Sequence, residues 1–279
     1  MEPEMLLTRI FTLVIILVYN LVYSQQFFNN PESAAFHSES SSYFVSNFSG
    51  GNIIEIDSSG MKSIFKEGIS KPCGMVICDS ILYVVENPKK VSGFKIDSGA
   101  PVLEIQINEA LFLNDITFDD SGSLYVTDSG LKAVYQIDRV NKTYQLLVET
   151  LMDSPNGIIY DKFNNRLLVC YFREESRIDE INIKESTIKP LITPPYDNLD
   201  GITLDELGNC YISSFGPGSF NVGFKNQGTI IKYDNSFKEE PLAILTDLYG
   251  PADIYYNNGK KELVIPFFLE NRIQFIDIE

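Results

Sequence analysis

Leu113-Asn114-Asp115-Ile116-Thr117-Phe118-Asp119-Asp120-Ser121-Gly122-Ser123-Leu124-Tyr125-Val126-Thr127-Asp128, followed by Ala133-Val134-Tyr135-Gln136-Ile137-Asp138, is the stretch that decides the fold. A polar opening leads into a short apolar run, Asp119 to Gly122 supplies a turn, a β-rich run returns, and a third run ends in Ile-Asp. The same arrangement is written six times. Its opening tripeptides are Pro31-Glu32-Ser33, Pro72-Cys73-Gly74, Leu113-Asn114-Asp115, Pro155-Asn156-Gly157, Leu199-Asp200-Gly201 and Pro251-Ala252-Asp253, with central residues 41, 41, 42, 44 and 52 positions apart. A period of roughly 40 to 50 residues made only of short strands marks β-propeller blades. The expectation is an all-β, six-bladed β-propeller with four-stranded blades around a central channel.

Each repeat supplies a first strand (Ile116 to Phe118, Ile158 to Tyr160, Ile202 to Leu204) and a turn rich in Asp, Gly and Asn. A second strand (Leu124 to Thr127, Leu167 to Cys170, Tyr211 to Ser213) and a third (Ile53 to Ile56, Val134 to Ile137, Ile230 to Tyr233) come next. A fourth, such as Tyr144 to Glu149 or Leu242 to Thr246, leads to the next repeat. The sixth repeat stops at Ile276 to Glu279, one strand short, and Gln25 to Asn29 is the expected replacement, pairing the two ends and hiding an open edge. Trp is absent, which excludes Trp-Asp blades, and the double glycines of kelch blades are missing too. The one insertion is Gly216 to Gly228, in the fifth repeat.

Of the 279 residues 44% are hydrophobic, enough for a core. A net charge of −16 without a basic cluster argues against nucleic acid and anionic membrane surfaces as partners. The N-terminus differs in kind: Arg9 precedes an apolar run from Ile10 to Tyr23, broken by Thr12 and Asn20, with Ser24 after it. That run is shorter than the ~20 apolar residues of a membrane span and predicts a signal peptide over 1–24. Residues 25–279 are then the propeller, secreted or periplasmic, with a charge of −15 and no stable membrane insertion. The acidic start at Glu2 and Glu4 keeps an uncleaved anchor as the alternative. Four cysteines are too few for a stapled scaffold; Cys170 and Cys210 fall inside apolar strands at offsets expected to face opposite ways, so buried free thiols are expected. Asn47-Phe48-Ser49 and Asn141-Lys142-Thr143 have the form of glycosylation sequons.

Strands in a blade alternate direction, so every opening tripeptide and every connection from second to third strand lie at one end of the molecule. The central residues therefore ring one mouth of the channel: Glu32, Cys73, Asn114, Asn156, Asp200 and Ala252. Glu32, Asn114, Asn156 and Asp200 bring two carboxylates and two amide oxygens to one opening. Carboxylates held together repel unless a cation sits between them. Oxygen donors without His suit one hard divalent ion, Ca²⁺ first, with Mg²⁺, Mn²⁺ or Zn²⁺ open. The plainer explanation is that these residues accept backbone N–H groups, as Asn and Asp do in turns. Against it stands the register, since four of six symmetry-related positions carry such oxygens.

Pro-Glu-Ser at 31–33, Asn-Asp at 114–115, Pro-Asn-Gly at 155–157 and Asp-Gly at 200–201, in this order over Pro31 to Ile278, resemble the gluconolactonase/regucalcin (senescence marker protein) propellers, relatives of the paraoxonases. The resemblance implies one divalent cation held by Glu32, Asn156 and Asp200, with Asn114 a further ligand or a substrate contact. It implies hydrolysis of a small-molecule sugar lactone or similar ester, the cation polarising the carbonyl while a carboxylate takes a proton. Asp200 is the candidate for ligand and general base together, and Glu32 for a purely structural ligand.

The sugar-acid lactonases commonly place an Arg where this chain has Phe112, which speaks against a polyhydroxylated substrate. His37 is the only His and is read as a solvated turn residue, so the paraoxonase His pair and any Ser-His or Cys-His nucleophile are excluded. The inserted loop reaches the ring's mouth, where Phe220 and Phe224 are expected to form an apolar lid with Gly hinges. The other mouth connections offer Asn47, Glu86, Asp128, Tyr171, Phe172 and Phe268; Asp128 is a candidate supporting group, and Tyr171, Phe172 and Phe268 candidate pocket walls. Two rivals stand beside the hydrolase: a non-catalytic propeller binding a glycan, peptide or protein with a structural cation, and a metal-free, strictosidine-synthase-like propeller.

Overall fold

The polar opening and the apolar run after it fold as one strand. In blade 3, Leu113–Phe118 pairs antiparallel with Leu124–Asp128, which pairs with Ala133–Asp138, which pairs with Thr143–Glu149. The computed structural model describes residues 27–278, and four more sheets with this four-stranded order open at Pro31, Pro72, Pro155 and Leu199. The sixth has three strands, Tyr255–Asn257, Glu262–Phe267 and Arg272–Asp277, with Pro251 bridged to Phe267 ahead of them. The first strands of successive blades pack side by side around the channel. Among the described residues no helix is long and apolar enough to cross a membrane.

Every junction between blades has its own core. Six apolar clusters lie one between each neighbouring pair, the second strand of each blade supplying side chains to both faces. Closure is the sixth: Phe28, Tyr43, Val45 and Ile54 of blade 1 meet Val264 of blade 6. Hydrogen bonds reinforce it: the Asn30 N–H donates to Asn271 Oδ1 (2.7 Å), and the Asn30 amide donates to the Phe268 carbonyl (2.7 Å). Phe27 to Asn29 is not a strand, so closure at these residues works through side-chain burial and turn bonds rather than a ladder. Gln25 and Gln26 of the expected closing strand, and the whole signal segment 1–24, lie outside the described residues.

Three local expectations change. All four cysteines are buried free thiols, as expected, yet Cys170 and Cys210 share one cluster, because opposite faces of consecutive blades face each other. Asn47 is fully buried and its amide donates to the carbonyl of Phe27 and to Asn52 Oδ1, so the first sequon is a structural Asn. His37 ends a strand, its ring bonded to Ser40.

Candidate metal centre and active site

The ring is built by a repeated backbone device that periodicity does not reveal. In blade 1 the ladder steps from Pro31↔Asn47 to Ala34↔Val45, three residues against two, and the same shift recurs after Pro72, Leu113, Pro155 and Leu199. The opening tripeptides of blades 1 to 5 thus carry a β-bulge, which turns the strand and re-aims a side chain. The residue before the strand is left-handed in five blades, Asn30, Lys71, Ser154, Asn198 and Gly250, swinging the chain inward from the blade edge. Contact behind the bulge is tight. A Cβ on Gly157 would lie 2.4 Å from the Asp200 carbonyl oxygen, and one on Gly201 2.4 Å from the Ile254 nitrogen.

Glu32, Asn114, Asn156 and Asp200 come together on the floor of one cavity of about 490 Å³. All four are buried, and Glu32 Oε2, Asn114 Oδ1, Asn156 Oδ1 and Asp200 Oδ1 have no hydrogen-bond partner. The other buried side-chain atoms without a hydrogen bond among the described residues, Arg177 Nε and Asp179 Oδ1, face each other as an ion pair at 2.6 Å. Burial and then the neighbouring Asp200, Asp253 and Asp115 push the Glu32 carboxyl well above the usual carboxylate range. Burial and then Asp253 do the same to Asp200. Cys73, the ring's fifth polar position, is held as a thiol by burial and by Glu32.

Such a floor fits a hard divalent cation by donor type: two carboxylates and two amide oxygens, buried, unpartnered and facing one space. No trio of His, Cys, Asp or Glu converges anywhere among the described residues, so amide oxygens are indispensable to the fit. One residue deeper lie two buried acids, the third residues of their opening tripeptides. Asp115 accepts from the Ile116 and Ile158 N–H groups (2.7 Å each), and Asp253 accepts from the Ser33 hydroxyl (2.6 Å). Burial, offset in part by that hydroxyl, leaves Asp253 pushed up to about 7. Both line a second cavity of about 330 Å³ that opens toward the opposite end.

The walls above the floor are aromatic. Phe172 and Phe268 reach the cavity as expected, joined by Phe48, Phe112 and Phe215, which the sequence does not mark as walls. Tyr171 is turned away into the core and donates to Asp179. Glu86 is engaged by Lys90 and Ser92, and Asp128 accepts from the backbone N–H groups of Leu111, Phe112, Gly130 and Leu131. Asp128 therefore fixes the loop that presents Phe112. Within Gly216 to Gly228 a small hairpin pairs Gly218–Ser219 with Gly223–Phe224. Its Phe220 lies 6.0 Å from Phe172, nearly parallel, and its Phe224 packs edge-on to Phe215 at 4.5 Å.

No protein-family model matches the chain, and no curated relative does either. Solved structures do. A gluconolactonase of Xanthomonas campestris superposes with a TM-score of 0.73 at 14% identity, over 90% of this chain and 87% of that one. The fold is therefore the six-bladed propeller. The propeller of virginiamycin B lyase from Staphylococcus aureus matches at a TM-score of 0.65, 16% identity, and 92% and 86% coverage. A chain of a nidogen/laminin complex matches at 0.63, 13%, and 82% and 91%. A hydrolase, a lyase and a partner-binding assembly share this architecture at such identities, so chemistry must be argued from the site.

Proposed function

We propose that this chain is a divalent-cation-dependent hydrolase of a lactone or related ester, working at the Glu32–Asn114–Asn156–Asp200 mouth of the propeller. The observation that supports it most is that four unpartnered buried oxygens form the floor of an open, otherwise apolar cavity. When bound, a divalent cation would supply charge neutralisation for the two carboxylates and Lewis-acid polarisation of an ester carbonyl. Glu32 and Asn156 would hold it from opposite sides of the ring, with Asp200 and Asn114 completing the set. Asp200 also faces the cavity, where its carboxylate takes the proton of the attacking water and returns it to the departing alkoxide as the ester C–O bond breaks. The amides of Asn114 and Asn156 offer N–H groups to negative charge developing on the carbonyl oxygen. With a substrate seated between them, the phenylalanine walls would exclude bulk water from these exchanges.

A panel of lactones and aryl esters tests the proposal, assayed with Ca²⁺, Mg²⁺, Mn²⁺ or Zn²⁺ and with chelator, beside Asp200→Ala. Cation-dependent turnover lost in the variant supports it. If no ester turns over while a cation still raises the melting temperature in a Glu32- and Asp200-dependent way, the mouth is a binding platform with a structural cation. The likeness to the nidogen/laminin chain makes that the second reading.

A further inference from the structure

We infer that this site takes an ester or lactone carrying a bulky apolar group, aryl or medium-chain acyl, rather than a polyhydroxylated sugar lactone. The reacting bond rests on the hydrolase reading above; the apolar group rests on the cavity alone. Above the four oxygens rise Phe48, Phe112, Phe172, Phe215, Phe220 and Phe268, and no Lys, Arg or His lines the space. A volume of about 490 Å³ accommodates such a group beside a carbonyl at the floor.

Among the described residues the walls carry only two hydroxyls, Ser129 and Ser154. Ser129 donates to the Pro155 carbonyl (2.5 Å), and at the base of the hairpin the Asn198 amide donates to the Gly216 (2.8 Å) and Gly218 (3.2 Å) carbonyls. Ser154 is the one wall hydroxyl without such a bond. A sugar lactone entering here would bury several hydroxyls against aromatic rings and leave them unpaired, which is unfavourable. An aryl or acyl group instead removes apolar surface from water on both sides and packs ring to ring.

Phe220 makes this more than a description of the walls. It is 67% exposed and stands beside other rings, 4.9 Å from Phe224 and 6.3 Å from Phe268. An apolar group between Phe220 and the floor would bury what is now open to water. Gly216, Gly218 and Gly223 all have left-handed φ in the hairpin, so the turn geometry that carries Phe220 tolerates no ordinary side chain there.

Two measurements test the inference. The first tracks binding of the neutral fluorescent probe N-phenyl-1-naphthylamine, which needs no chemistry. Affinity should fall about tenfold in Phe220→Ser combined with Phe268→Ser and stay close to the parent in Phe220→Leu. The second compares kcat/KM for gluconolactone with decalactone and phenyl acetate in the presence of Ca²⁺, where the apolar substrates should lead by about tenfold or more. Turnover of gluconolactone equal to or above theirs overturns the inference and leaves the hydrolase reading intact. Phe-dependent probe binding with no ester turned over does the reverse, retiring the hydrolase and keeping the apolar site. Probe binding that ignores the phenylalanines overturns the inference whatever the turnover.

Discussion

Asp and Asn occur at both ends of the blades, and the ring positions use them in the opposite way from the turns. At the end away from the ring, they close turns. Asp119 Oδ1 accepts from the Ser121 (2.9 Å) and Ser123 (3.0 Å) N–H groups, and Asp205 Oδ1 accepts from Leu207 (2.9 Å) and Asn209 (2.8 Å). At the ring, Asn114, Asn156 and Asp200 aim oxygens that nothing donates to. The acidities differ accordingly. Burial alone would raise Asp119, but the Ser121 and Tyr125 hydroxyls outweigh it and hold it below its ordinary value, while Glu32 and Asp200 are driven up. A residue type is thus no guide to its role; the partner count of its oxygens is.

The sharpest way to break this comparison is to mutate one acid from each end. Asp200→Ala should lower kcat/KM for whichever ester turns over by about 10³-fold, the scale of a lost electrostatic partner in an active site. Asp119→Ala should leave kcat/KM alone and instead lower stability by about 1–2 kcal/mol through the lost turn bonds. Equal kinetic effects in the two variants would erase the distinction between the ends.

Cation binding gives the next largest effect. At 100 times its dissociation constant a cation stabilises the fold by about 2.7 kcal/mol, which is about 5–10 °C in melting temperature for a chain of this size. Glu32→Gln and Asp200→Asn should abolish that increment. The pH dependence has a definite sign. In chelator, the folded-state pKa values of Glu32 and Asp200 are raised, and Asp253 is raised to about 7. Their protonated forms therefore favour the fold below the ordinary carboxylate range, and that contribution is lost as pH rises through the raised values. A bound cation favours the ionised ring instead. The gap between loaded and chelated melting temperatures should widen from pH 5 to pH 8, and a gap that narrows over that window would contradict a carboxylate-held cation.

Gly157→Ala acts on the ring through the backbone. The new Cβ would sit 2.4 Å from the Asp200 carbonyl oxygen and 3.0 Å from Cys170 Sγ, so the first strands of blades 4 and 5 must separate. A loss of about 1–3 kcal/mol is the ordinary range for such overpacking. Cation affinity should weaken with it, because the displaced residue is Asp200 itself. Gly259→Ala, also at a glycine without left-handed φ and with its nearest atom, Asn257 Oδ1, 3.5 Å from the new Cβ, is the control without crowding.

Much of this is legible in the sequence, for one reason: the opening tripeptides recur at blade spacing, so register alone places Glu32, Asn114, Asn156 and Asp200 together. The bulge is not legible. It inserts one residue between the ring and the ladder, so counting alternate residues through it misplaces the facing of the residues beyond, and the tripeptides alone do not show that Asp115 and Asp253 lie buried behind the ring. Phe112 stands out in the sequence only as a missing Arg, since a wall is a property of several loops at once. Closure also depends on a register that strand-like residues at the N-terminus do not fix: Phe28 fills a core position there instead of joining a ladder.

A single hydroxyl tests how the ring is held. The Thr127 hydroxyl accepts from the Asp115 N–H (3.0 Å) and donates to the Asn156 carbonyl (2.7 Å), tying the bulges of blades 3 and 4 together. Ser213 makes the equivalent pair with the Gly201 N–H (2.8 Å) and the Ala252 carbonyl (2.7 Å). Thr127 thus fixes the backbone beside two ring donors, Asn114 and Asn156, while Ser213 fixes it beside one, Asp200. Thr127→Val keeps the shape, removes both bonds and leaves a buried N–H and carbonyl unpaired, for about 1–3 kcal/mol. Thr127→Ser keeps the bonds and should restore cation affinity as well as most of the stability. A Val variant that loses stability but binds the cation as tightly as the parent would mean that the bulge holds the donors without help from the second strand.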